Sequence, residues 1–369
     1  MSRSSPCPTR KILRPQIMTE ELLLLCGLGL IMGLVLFLPF SIRWVEEELE
    51  VFLLIMGSMA ISVSGLWSWH LVHEALREPI KISSAVLLFG LLFRYYRDKI
   101  RTSVSQLADR MGPKYFLFAL VAGLGLLSSV ITAIIAALVL VEVVSCLRLE
   151  KNRERLLVII TCYAIGLGAV LTPIGEPLST IATAKLVAQP YNADFFFLGR
   201  LLWPWVTAGI MLLSFLAIIC AGRDANLEKS VQEDHPESIK MIAIRAGKVY
   251  IFVTALVFLG YGFTPLINRY LINMPKSLLY WTNMISAVLD NATLAAAEIS
   301  PKMSLAQIQF LLMGLLISGG MLIPGNIPNI ICSKQLKIKS LDWAKFGVPL
   351  GLILLTLYFI LLRLTFGSS

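Results

Sequence analysis

The chain is a succession of long apolar runs joined by charged loops. Leu22 to Phe40, Val51 to Trp67, Tyr115 to Val144, Leu156 to Leu171, Phe195 to Cys220, Val249 to Ile267 and Phe346 to Leu364 approach or exceed the length that crosses the hydrocarbon of a bilayer. No water is available there, so each backbone N–H and C=O must be satisfied inside the protein, and runs of this kind specify helices. Hydrophobic residues make up 57% of the chain, charged residues 15%, and mean hydropathy is +0.78. A soluble chain of 369 residues has no means of hiding that much apolar surface. The expected fold is an all-α polytopic membrane protein, integral to the cytoplasmic (inner) membrane. The net charge of +9 sits mostly in the loops, as the positive-inside bias and anionic lipid head groups require. No basic cluster is interleaved with aromatics, so nucleic acid is not an expected partner. The six cysteines are scattered without Cys-x-x-Cys spacing, and His70 with His73 lacks a clear third ligand, so neither a cofactor nor a resident metal is expected. Residues 1 to 20 are polar and carry no small-residue cleavage site, so a retained tail is expected.

One stretch departs from the apolar pattern. Thr172-Pro173-Ile174-Gly175-Glu176-Pro177-Leu178-Ser179-Thr180 directly follows the run that ends at Leu171. Proline lacks an N–H and clashes with the preceding turn, so the helix must break near Pro173 and Pro177. Broken backbone at membrane depth is tolerated only where it is buried in protein or lines a wet cavity, and a glutamate there faces inward toward a partner.

A second stretch resembles the first. Gly319-Gly320-Met321-Leu322-Ile323-Pro324-Gly325-Asn326-Ile327-Pro328-Asn329 aligns with Gly168 to Ser179, and with one gap Pro173 falls on Pro324, Gly175 on Gly325 and Glu176 on Asn326. Upstream, Leu127 to Thr132 falls on Ile285 to Asp290, and downstream Gly199 to Pro204 falls on Ala344 to Pro349. Three blocks in one order indicate an internal repeat. The loops Arg94–Lys114, Arg148–Arg155, Gly222–Lys248 and Lys334–Lys345 are rich in Lys and Arg, whereas Ala188–Leu198, Arg269–Lys276 and Ser300–Ser304 are poor in them. Placing the rich loops inside makes the two repeats inverted in topology, the sequence pointer to a midplane transport site. The expected organisation is an N-terminal tail with scaffold helices over 1–81, a first transport repeat over 82–222, a hydrophilic linker over 223–248 and a second, inverted repeat over 249–369. Arg97 to Lys114 reads as an amphipathic helix on the membrane surface. Small residues inside Tyr115–Val144 predict a re-entrant hairpin or an interrupted helix. If three early segments all cross, the basic terminus lies outside, so either Ile82–Phe93 stops short of spanning or the count differs by one.

The candidate ion- or substrate-binding residues are Ser129 and Thr132 at the first tip; Glu176, Ser179 and Thr180 at the first break; Asp290, Asn291 and Thr293 at the second tip; and Asn326 and Asn329 at the second break. Pro173, Gly175, Pro177, Pro324, Gly325 and Pro328 break the helices. Unwound carbonyls with hydroxyl and amide oxygens suit a dehydrated hard cation such as sodium. Asp290 and Glu176 supply carboxylates able to exchange a proton near neutral pH once desolvated. Asp290 also fits a helix N-cap. Half-helix N-termini would suit an anion instead. Glu298 and Glu142 lie nearer segment ends and are expected at an interface or in a structural hydrogen bond.

Ala169 to Thr180, Asp290-Asn291-Ala292-Thr293 and Pro324 to Asn329 resemble the ion transporter superfamily, which includes sodium/proton antiporters, arsenite-efflux carriers and dicarboxylate symporters. The resemblance runs from about residue 82 to the end and is nearest to a bacterial and archaeal branch classed as cation transporters. It implies an inverted-repeat fold with two re-entrant hairpins and two unwound helices, and it allows a homodimer. Asp290-Asn291 looks like the Asp-Asn pair of the antiporters. Ser129-Val130-Ile131-Thr132 departs from the symporters' Ser-Asn-Thr, and Glu176 replaces a neutral residue. The first departure weakens a dicarboxylate reading, and the second favours a cation or proton over an anion. The resulting expectation is a secondary transporter exchanging an inorganic cation for protons, with a sodium-coupled anion carrier as the alternative. An intramembrane enzyme is disfavoured, because the chain has no His-Glu-x-x-His or Gly-x-Ser-x-Gly within a membrane run and Asp290 has no Gly-x-Gly-Asp partner motif. A scaffold without transport would leave the paired breaks with acids unexplained.

Overall fold

Seen in a computed structural model, residues 13–42, 44–45, 48–147, 149–187, 189–221, 239–270, 274–289 and 291–367 are described. Among them the chain is helical throughout, with no strand. The elements are α1 (Leu13–Ser41), α2 (Leu49–Ser64), α3 (Trp69–Met111), α4 (Pro113–Ile131), α5 (Ala133–Leu147), α6 (Lys151–Ala169), α7 (Pro177–Lys185), α8 (Phe197–Ala221), α9 (Ile239–Tyr270) and α10 (Lys276–Thr282). After α10 come a 3-10 turn (Asn283–Ala287), α11 (Asn291–Glu298), α12 (Leu305–Gly319), a second 3-10 turn (Ile323–Gly325), α13 (Ile327–Gln335) and α14 (Ser340–Phe366). Among the described residues four stretches are long and apolar enough to cross a membrane: Pro113–Ile131, Phe197–Ile219, Ile239–Leu266 and Ser340–Phe366. The shorter apolar helices Leu23–Pro39, Leu49–Ser64, Ala133–Leu147 and Leu305–Gly319 accompany them. This is the helical membrane architecture expected from the apolar runs.

Two expected boundaries differ. Ile82–Phe93 and the polar stretch after it do not form separate segments, because α3 is one helix of 43 residues, roughly 65 Å at 1.5 Å per residue. No proline follows Pro79 within it, so nothing interrupts the hydrogen-bond ladder where hydropathy falls. At the other boundary, α9 already begins at Ile239, inside the stretch read as a linker; residues 222–238 lie outside the described ones.

The packing falls into bundles. Helix α9 lies along α2 and α3, with α1 on α2. The α2–α9 crossing is close because small residues meet there. A Cβ on Gly57 would fall 2.9 Å from the Ala255 carbonyl, and one on Gly262 would fall 2.5 Å from the Ala60 Cβ. Helix α6 packs between α4 and α8, and α12 packs on α10 and α14. The bundles then cross. Helix α5 packs on α13, α11 packs on α7, and α6 touches α12, α13 and α14. Each returning helix therefore lies against the short helix of the other half of the chain.

Candidate functional site

The site is built on two helix breaks of the same construction. Helix α6 ends at Ala169 and α12 at Gly319; α7 begins at Pro177 after the N-cap Glu176, and α13 begins at Ile327 after the N-cap Asn326. The short helices end at Lys185 and Gln335, both capped by a leucine. All these pairs keep one constant offset, so the register is gapless. The proline-on-proline match from the sequence is displaced by one residue: Pro173 stands where Ile323 stands, and Pro324 where Ile174 stands. The prolines that open the short helices are displaced by one as well. Pro177 is the first residue of α7 and Pro328 the second of α13, and neither position requires a backbone N–H. Proline can shift by one there without moving the break.

Each break turns on a glycine that admits no side chain. A Cβ on Gly175 would lie 1.9 Å from the Ala169 carbonyl oxygen, and one on Gly325 would lie 2.5 Å from the Gly319 oxygen and 2.8 Å from the Ser286 oxygen. The two blocking carbonyls, Ala169 and Gly319, are themselves equivalent in the gapless register.

Each break is clasped by a helical hairpin. In the first half α4 turns into α5 at Thr132, which has φ 75° and ψ 149°, a backbone conformation that costs a β-branched residue on the order of 1–3 kcal/mol. The Ser128 hydroxyl donates to the Ile165 carbonyl at 3.0 Å, the Ala133 N–H donates to the Gly175 carbonyl at 2.9 Å, and the Thr172 hydroxyl donates to the Ser129 carbonyl at 2.5 Å. In the second half the Ser286 hydroxyl donates to the Leu315 carbonyl at 3.2 Å. Ile165 and Leu315 are equivalent in the gapless register, so the two serines make the same bond.

The proposed ligands are distributed unevenly. Glu176 and Asn326 are buried in extended backbone at the two N-cap positions, and neither side chain caps its helix. A Cβ on Gly166 of α6 would lie 2.6 Å from Asn326 Nδ2, so the second break reaches the first half's helix. Asn329 is fully buried; its amide nitrogen donates to Gly319 at 2.8 Å and to Leu322 at 2.9 Å, and its carbonyl oxygen has no hydrogen-bond partner among the described residues. Asn291 is buried, accepts from the Ser286 hydroxyl, and keeps its amide nitrogen unpartnered among the described residues. Ser129 and Ser179 are buried, but their hydroxyls turn to backbone carbonyls, Leu126 at 2.8 Å and Glu176 at 2.7 Å. Thr180 is exposed and bonds the Pro173 carbonyl at 2.5 Å, so it staples the break and stays outside the buried group. The Thr132 hydroxyl accepts from the Ile135 N–H at 3.3 Å. Asp290 and the side chain of Thr293 lie outside the described residues.

A family model described as "Protein of unknown function (DUF1646)" matches residues 25–365, nearly the whole chain. The chain belongs to the DUF1646 family. No curated protein matches this DUF1646 chain. The match extends upstream of the paired breaks through α1, α2 and α3, so the first three helices belong to the family's common body.

Two features escaped sequence reasoning. Glu298 is expected at an interface or in a structural hydrogen bond; it is 3% exposed, with the Asn283 amide acting on its carboxyl. Its nearness to a segment end hid its depth, because α11 is an eight-residue helix packed inside the bundle. Glu50 reads as part of an acidic connector, yet it is 1% exposed and ion-paired to Lys248 at 2.7 Å and to Lys334. Glu48 meets Lys248 at 3.0 Å from the exposed side. This group joins α2, α9 and the last turn of α13. The lysine spacing alone held no signal for it, since Lys248 and Lys334 lie 198 and 284 residues from Glu50 along the chain.

Proposed function

We propose that this DUF1646 chain is a secondary transporter that exchanges an inorganic cation, sodium foremost, for protons. In this reading the two halves are inverted repeats, α4–α5 and α10–α11 are re-entrant hairpins, and the two breaks meet at the bilayer midplane. The observation that carries the reading is the pair of gapless, glycine-locked breaks, each clasped by an equivalent serine and each with a buried polar residue at the N-cap position, Glu176 or Asn326. A chain that only spanned the membrane would have no use for two such costly interruptions. Unwound carbonyls and amide oxygens favour a hard cation, and Glu176 with Asp290 supplies the proton-exchanging acids. A sodium-coupled anion carrier is the second reading. The N-termini of α7 and α13 favour it through their partial positive charge, while the absence of Lys and Arg from residues 170–180 and 320–330 argues against it.

The test uses purified protein in proteoliposomes loaded with a pH-sensitive dye. Sodium, lithium, potassium or calcium is added outside, with Asp290→Asn and Glu176→Gln in parallel. A cation-dependent pH change lost in both variants is the expected result. Full exchange by Asp290→Asn would refute the antiporter assignment. No pH change with any cation, together with sodium-dependent uptake of a labelled anion, would transfer the protein to the carrier reading.

A further inference from the structure

Helix α12 carries a stripe of side-chain hydrogen bonds to its own carbonyls. The Asn283 amide nitrogen donates to Leu311 at 3.4 Å, the Ser286 hydroxyl to Leu315 at 3.2 Å, and the Asn329 amide nitrogen to Gly319 at 2.8 Å. Residues four apart share a helix face, so these are three consecutive rungs about 6 Å apart, spanning about 12 Å along α12. Asn291 links the upper two. It accepts from Ser286, and a Cβ on Gly319 would fall 2.6 Å from its amide nitrogen. Glu298, seven residues after Asn291 on α11, shares that helix face, and the side chain acting on its carboxyl is the Asn283 amide. The stripe thus runs from Glu298 and Asn283, beside the loop at Ser300, to Asn329 at the second break.

This stripe is polar without being satisfied. Both Glu298 carboxylate oxygens, Asn283 Oδ1, Asn291 Nδ2 and Asn329 Oδ1 are buried with no hydrogen-bond partner among the described residues. Each such group costs about 1–3 kcal/mol, so a functional demand must retain them. Among the described residues no charged side chain is a cause acting on the Glu298 carboxyl, and helix α12 has no charged residue.

The first half lacks this feature. Asn291 corresponds to Ala133 at the start of the returning helix, so Glu298 corresponds to the fully buried Leu140 and Asn283 to Gly125. Gly314 lies beside Asn283, where a Cβ would come 3.4 Å from the Asn283 Cβ and 2.9 Å from the Tyr280 carbonyl; the equivalent contact in the first half sets Gly125 against Ala164. The acid and amide were therefore placed in one half only, on the side of the Ser300–Ser304 loop.

We infer that Glu298, held by Asn283, is a proton-binding station on the path between that loop and the central site. It rests on the transporter reading and gives its proton route a side. The neutral acid holds its proton on the carboxyl beside the Asn283 amide, which acts on that carboxyl. On exchange it releases that proton toward the loop as the cation engages the breaks, and it recovers a proton when the cation leaves. Burial without a cation makes the ionised form expensive, which confines it to that moment.

Two measurements test this on the purified full-length protein. Infrared spectra across a pH series should contain the C=O stretch of a protonated carboxylic acid at neutral pH. That band should vanish in Glu298→Gln and shift in Asn283→Ala, with both variants remaining monodisperse. An identical band in Glu298→Gln would overturn the assignment, whether or not the protein transports. In proteoliposomes, Glu298→Gln should lose about a hundredfold of cation-driven proton flux, the scale of a positioned proton-transfer group, while isotopic cation–cation exchange continues. Wild-type proton flux in Glu298→Gln would overturn the inference; absence of proton flux in the wild-type protein would overturn the transporter reading and leave the infrared band to decide Glu298.

Discussion

Substituting Lys334 by methionine probes the buried Glu50 group. Glu50 is 1% exposed and shares its two oxygens between Lys248, at 2.7 Å, and Lys334. At an effective dielectric of about 20, a contact at that distance is worth roughly 6 kcal/mol of Coulomb energy before desolvation is subtracted. Most of that is cancelled by burying the charges, and breaking a buried pair from one side costs about 3–5 kcal/mol. The lysine side chains are 19% and 35% exposed, so water relieves part of the loss, and Lys248 remains to hold the carboxylate. Lys334→Met should therefore destabilise by about 2–3 kcal/mol, at or just below the bottom of that range. Glu50→Gln leaves two lysines that can swing toward water, and should cost about 1–2 kcal/mol. The double variant has no uncompensated charge and should cost about 1 kcal/mol or less, a coupling of roughly 2–3 kcal/mol between the sites. The assay is a double-mutant cycle of reversible unfolding in mixed detergent micelles. Simple addition of the two single effects would refute the claim that the partners stabilise by mutual compensation in a dry environment.

Three further outcomes follow from the geometry. Gly168→Ala places a Cβ 1.7 Å from the Gly125 carbonyl, backbone against backbone, and should lower the detergent melting temperature by the equivalent of about 3 kcal/mol, the upper end of overpacking costs; Gly123→Ala, with open space around it, should melt like the wild type. Thr132→Gly releases a β-branched residue from positive φ and should stabilise by about 1 kcal/mol while slowing cation exchange, as measured by melting and by flux. Just ahead of the Phe197–Ile219 span, the Asp194 carboxyl is held below the usual range by the Arg200 guanidinium at 2.7 Å. A depressed carboxyl contributes stability above its unfolded value of about 3.9 and loses it as pH falls; because the pair is exposed, Asp194→Asn should leave the melting temperature at pH 7 almost unchanged, and a large drop would contradict that.

Much of the helical plan was legible because membrane helices announce themselves through length and apolarity, and because Pro173, Gly175, Pro324 and Gly325 mark the breaks. Their register was legible after the gap, where Gly175 falls on Gly325 and Glu176 on Asn326, but not before it, where Pro173 was set on Pro324. Sequence matching aligns proline with proline, whereas the backbone aligns the glycine with the carbonyl it passes and tolerates proline at either of the first two positions of the short helix. The continuity of α3 was hidden by a fall in hydropathy, which reflects surroundings and leaves backbone hydrogen bonding intact. The burial of Glu298 and Glu50 was missed because position along a segment was taken for depth; each owes its burial to packing from elements distant in the chain.

The crossed packing of α5 on α13 and α11 on α7 bears on synthesis. When the ribosome has delivered residues up to the end of α8, α5 and α7 are made but their partners are not. The first half must wait in the membrane with two apolar faces and a buried-type glutamate uncovered, and its breaks close only when the second half arrives. Cutting the chain between α8 and α9 should yield two fragments that are each short-lived alone and persist when produced together, because each supplies the other's missing wall.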